Sequence, residues 1–74
     1  MTEKEFYILV GKNIKRIRES KGLSLFELST MCIFEKSNLS RLENGRTNVT
    51  IKTLFILSKT LGVDVEEFVR VNVS

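Results

Sequence analysis

Apolar positions along the chain fall into helical registers punctuated by glycine. Phe6, Val10, Ile14 and Ile17 recur at intervals of four, four and three, which predicts a helix with one core-facing stripe, ended by Gly22. Tyr7, Ile8 and Leu9 widen that apolar surface, whereas Lys12, Lys15, Arg16 and Lys21 lie off it. Met1 to Glu5 read as a polar, frayed lead-in. Ser24 and Glu27 then form S-x-x-E, a capping box in which each side chain satisfies an orphan backbone N–H, and Leu25, Leu28 and Met31 or Cys32 follow at helical spacing. The register stops near Ile33–Phe34 and resumes in another phase with Leu39 and Leu42, predicting a third helix over Lys36–Glu43, closed at Asn44–Gly45. A fourth helix follows the N-cap Thr50 with Ile51, Leu54, Phe55, Leu57, Ser58 and Leu61, and ends at Gly62. D-x-x-E at Asp64–Glu67 reads as a capping box for a fifth helix carrying Val65, Phe68 and Val69, and Val71 to Ser74 alternate as an extended tail does. Phe34, Phe55 and Phe68 read as core residues. The expected fold is all-α, a compact five-helix bundle within one domain, residues 1–74.

The third helix is the unusual one. Around its two leucines it exposes Lys36, Ser37, Asn38, Ser40 and Arg41, the side-chain types that bond to base edges and phosphates. Two short helices with a tight break, the second one polar outside, describe a helix-turn-helix over about residues 24–43. Lys36–Glu43 is then the recognition helix, laid in the major groove of double-stranded DNA, with Leu39 and Leu42 holding it down.

SNLSRLENGRTNVTIKTL followed by LGV resembles the Cro and phage-repressor type of helix-turn-helix, often called the XRE family, and the likeness runs from about Asn13 to Phe68. It implies a lambda-repressor-like DNA-binding domain. Three positions depart from the family pattern: Leu25 stands where a DNA-contacting Gln is common, Ile33 at a turn position that is often Gly, and Glu35 where Ser or Asp usually caps the recognition helix. The resemblance further implies an ion pair between Arg18 and Glu43 that orients the recognition helix. It also implies a loop lying along the phosphate backbone, with Asn44, Arg46, Thr47 and Asn48 as phosphate ligands; Ser24, at the start of the second helix, joins them.

Composition agrees with this reading. The net charge is only +3, but residues 11–52 hold nine basic against four acidic side chains, whereas residues 60–74 hold Asp64, Glu66 and Glu67 against Arg70. A basic middle suits a polyanion and leaves the other end for a partner subunit. The chain has no His and one cysteine, Cys32, on an apolar helix face, so metal binding, a cofactor, a disulfide and enzymatic chemistry find no support. Phe6–Val10 is too short an apolar run for a membrane span or a secretory h-region, which points to the cytoplasm; no small-molecule ligand is expected.

Seventy-four residues bury about 60% of their unfolded surface, and one recognition helix reads few bases, so a two-fold homodimer is expected. With the basic half facing DNA, its surface falls to Phe55, Val63, Val65, Phe68, Val69 and Val71, with Val73 beyond them and Tyr7 or Leu9 contributing. The expected function is a sequence-specific transcriptional regulator binding a palindromic operator. A restriction–modification controller, a phage-type repressor or an antitoxin that represses its own operon would all fit, and in size and architecture the chain resembles the restriction–modification controllers. The alternative is an antitoxin or other module that holds a protein partner and regulates its own operon.

Overall fold

The first helix opens almost at once, on Thr2. In the computed structural model, which describes residues 1–71, α1 runs Glu3–Ser20. Thr2 Oγ1 accepts from the Glu5 N–H at 3.1 Å while the Glu5 carboxylate accepts from the Thr2 N–H at 2.8 Å. The expected frayed lead-in is therefore corrected: Thr2-x-x-Glu5 is the same capping box as Ser24-x-x-Glu27, which forms as expected at the head of α2, Leu25–Met31. In both boxes the carboxyl is held below its ordinary value, first by the backbone N–H it accepts and second by the hydroxyl. Their support is therefore present above the ordinary carboxylate value and is lost as pH falls through the lowered one.

Between α2 and α3, Lys36–Glu43, the chain turns through extended backbone at Cys32, φ −141° and ψ −178°. Positive φ occurs among the described residues only at glycines. Ile33 therefore sits without strain where relatives of this pattern often need Gly. α4, Ile51–Leu61, begins on Thr50, whose hydroxyl accepts from the Thr53 N–H at 3.1 Å.

α5 is shorter than the pattern suggested, Glu66–Val69, and Val65 at its start has no capping side chain. The expected box at Asp64 is replaced by two backbone turns, Glu67 N–H to Asp64 C=O and Phe68 N–H to Val65 C=O, each 3.0 Å. A side chain from α1 secures its far end instead. Asn13, buried, donates from Nδ2 to the carbonyls of Phe68 (3.0 Å) and Arg70 (2.9 Å).

One core joins all five helices: Val10, Ile14 and Ile17 of α1, Leu28, Leu39, Leu42, Leu54, Leu57, Leu61 and Phe68. Phe6 remains at the edge of the α1 stripe, 40% exposed. Two aromatic expectations are corrected. Phe68 is 0% exposed, filling this chain's own core, so it offers nothing to a partner surface. Phe55 lies off the Leu54–Leu57–Leu61 stripe and is 54% exposed, with Lys59 Nζ 5.5 Å from its ring centre, so it is not core. Val73 and the rest of the tail, residues 72–74, lie outside the described residues.

Candidate nucleic-acid interface

α3 is short, so its orientation depends on what it is seated against. Leu39 and Leu42 bury its inner face, and its C-terminal end meets α1 backbone to backbone. Gly11 of α1 lies so close that a Cβ there would come 2.3 Å from the Leu42 carbonyl oxygen and 2.6 Å from that of Glu43. From the other side, Gly45 (φ 67°) leaves the helix in the left-handed conformation, and a Cβ on it would fall 2.8 Å from the Ile8 Cα. Two glycines, one on each chain segment, set the spacing of recognition helix and α1.

Arg18 adds a directional tie. Its Nε donates to Glu43 Oε2 at 2.6 Å, its Nη2 to Glu43 Oε1 at 3.0 Å, and its Nη1 to the Leu23 carbonyl at 2.6 Å. Both side chains are more than nine-tenths buried. The Glu43 hydrogen bond raises the guanidinium above its already high ordinary value, against the opposing effect of burial. One fork thus links α1, the turn before α2 and the last residue of α3.

This seating leaves Lys36, Ser37, Asn38 and Arg41 exposed along the outer face of α3; Ser40 is half-buried. Asn38 and Arg41 share a cleft of about 240 Å³ with Thr47 and Asn48 of the following loop, so expected base readers and expected phosphate ligands face one hollow. Arg46 and Asn48 are exposed and Thr47 half-buried. Asn44 is exposed too, with Nδ2 donating to the Ser40 carbonyl at 2.8 Å, so one of its N–H groups is already engaged in closing α3. Ser24 is exposed at the head of α2, its oxygen accepting from the Glu27 N–H at 3.0 Å. Leu25 packs half-buried against the core.

Gly11 and Asn13 were not singled out from the sequence. Each nevertheless leaves a trace there: a glycine inside a helical pattern, and an amide on the same face as Val10, Ile14 and Ile17. Both types are out of place unless something approaches them closely or needs a donor.

Residues 14–68 match the HTH_3 helix-turn-helix family model, and the chain belongs to this family of DNA-binding transcriptional regulators, which are not enzymes. It is 44% identical over 61 residues to an uncharacterized HTH-type transcriptional regulator, y4dJ, of Sinorhizobium fredii, covering 82% of this chain and 79% of that protein. It is also 30% identical over 61 residues to the antitoxin PezA of Streptococcus pneumoniae, covering 82% of this chain but only 39% of PezA. Among solved structures, a point mutant of the restriction–modification controller protein C.Esp1396I superposes with a TM-score of 0.77 at 30% identity, covering 85% of this chain and 80% of the other. Among the described residues no helix is long and apolar enough to cross a membrane.

Proposed function

We propose that this chain regulates transcription by binding a palindromic operator as a symmetric homodimer, each copy placing α3 in the major groove. The observation that carries the reading is the exposed polar face of α3, Lys36, Ser37, Asn38 and Arg41, on a helix anchored by the Gly11 contact and the Arg18–Glu43 pair. Arg41 reads a base, with guanine O6 and N7 the edge its fork fits, and Ser40 contributes from its half-buried position. Arg46, Thr47, Asn48, Asn44 and Ser24 position the complex on phosphates. Arg41→Ala is expected to cost about 1–3 kcal/mol at the cognate site and to relax preference at one base pair. Arg46→Ala is expected to weaken cognate and random DNA alike and to lower the salt slope by about one unit. Competition titrations at several salt concentrations separate the two. Equal losses on both DNAs for Arg41→Ala would move it to the backbone-contacting set.

The second copy is assigned to the C-terminal part of the chain, where Asp64, Glu66 and Glu67 outnumber Arg70. There Phe55 and Lys59 of α4, with Val63 and Val65 of the segment leading to α5, line a groove of about 370 Å³, with Val69 half-buried and Val71 exposed nearby in sequence. Phe55→Glu places a charge on this surface while leaving the core intact, which Val69→Glu would not, since Val69 packs against the core. The variant is expected to sediment as a monomer and to bind operator at least tenfold more weakly. A wild-type chain that is monomeric at micromolar concentration and binds without cooperativity removes the dimer.

The likeness to PezA and the exposure of Phe26, Met31 and Ile33 support a second reading, an antitoxin holding a protein partner. It requires that the product of an adjacent gene co-purify stoichiometrically and that Phe26→Ser release it.

A further inference from the structure

Glu35 is an acidic side chain at the tip of a helix that exposes Lys36, Ser37, Asn38 and Arg41. It is the N-cap of α3, with extended backbone (φ −75°, ψ 154°), and its carbonyl accepts from the Leu39 N–H at 3.0 Å, which fixes its Cα to the helix. Its side chain makes no capping bond. Thr2, Ser24 and Thr50, at the heads of α1, α2 and α4, each accept from the N–H three residues on. Glu35 is exposed and belongs to neither ion pair found among the described residues, Arg18–Glu43 and Glu67–Arg70.

We propose that Glu35 is a specificity-determining residue that accepts a hydrogen bond from the N4 amino group of a cytosine in the major groove. The inference rests on the DNA-reading role given to α3 above. Helix-turn-helix recognition helices meet base edges with their N-terminal residues, and Glu35 directly precedes the first residue of α3. A carboxylate there is repelled by every phosphate, so it tolerates DNA contact only where it meets a donor. Cytosine supplies one. Its edge offers the N4 amino group alone, whereas adenine sets the N7 acceptor beside its amino donor, and guanine and thymine present acceptor oxygens. A capping Ser or Asp would be folded back onto the helix; the longer, untied Glu side chain has the reach.

Selection from randomised duplexes, run with wild type, Glu35→Ser and Glu35→Gln, tests this. Ser is the better N-cap, so the first variant keeps α3 folded, and circular dichroism checks that it has. Wild type is expected to enrich cytosine at one position of each half-site by about five- to a hundred-fold. Glu35→Ser loses the preference at that position alone, and Glu35→Gln turns it toward adenine, whose N6 and N7 suit an amide. The proposal is overturned if Glu35→Ser keeps the wild-type profile while binding all DNA more tightly, because the carboxylate then only repels phosphate. It is equally overturned if preferences fall at every position together, which would make Glu35 a support of the helix. A wild-type chain that enriches no sequence removes the DNA-reading role itself, and this assignment with it.

Discussion

Gly11→Ala is expected to destabilise the chain by about 3 kcal/mol or more, the upper end of overpacking costs. For a domain of this size that lowers Tm by about 12–24 °C. Helix propensity argues the opposite sign, since Ala in a helix interior is worth about 1 kcal/mol over Gly. The contact decides against propensity: the new methyl would lie 2.3 Å and 2.6 Å from two carbonyl oxygens and 2.8 Å from the Glu43 carbonyl carbon. These are backbone atoms, which cannot rotate away as a side chain can. Relief requires α3 to slide off α1, so DNA affinity is expected to fall even in the folded fraction. Thermal denaturation followed by circular dichroism measures the first effect and operator titration the second. Lys15→Ala, exposed on the same helix, is the control and is expected to change stability by less than about 0.5 kcal/mol. A rise in Tm for Gly11→Ala would mean that the two helices are not seated this closely.

Glu43→Ala is expected to cost about 3–5 kcal/mol, because it leaves a buried guanidinium without its counter-charge. In a chain of 74 residues that approaches the whole stability margin. Removing both charges is milder. Arg18→Met with Glu43→Leu is expected to recover most of the loss, since well-packed apolar side chains often replace a buried pair at little cost. The double variant separates stability from orientation: Arg18 also holds the Leu23 carbonyl, so its loss frees the turn before α2 as well as the end of α3. A stable double variant with weakened operator binding shows that the pair sets the pose of the recognition helix. Full binding would reduce it to a stabilising contact. Arg18 is raised above its already high ordinary value, so on the arginine side the contribution of this pair is complete below that ordinary value and is lost only as pH rises through the raised one.

Local signals carried far in this chain. The two leucines of α3, the Ser24–Glu27 box, the Thr50 cap and the glycines after α3 and α4 mark their elements in a few residues each, and each is found at its expected place. Where a signature depended on more than its own residues it misled. Asp64-x-x-Glu67 has the letters of a capping box, but α5 is a single turn starting at Glu66 and held from α1 by Asn13. Thr2-x-x-Glu5 had the same letters and does form, so position near the chain start was the weaker guide.

What the sequence determined by itself is the class of molecule: five amphipathic helices, the break between the second and third, and a polar row on the third, because periodicity and capping chemistry act within a few residues. The tertiary structure alone decided which apolar side chains remain outside, turning Phe55 outward although it sits in the apolar run Leu54–Leu57, and Phe68 inward although Glu67 precedes it and Arg70 follows two residues on. It alone brought Gly11 against the carbonyls of α3, and Asn13 against the end of α5 across 55 residues of chain. Contacts of that kind depend on how helices cross, and crossing geometry is set by the packing of all faces together, which no local window contains.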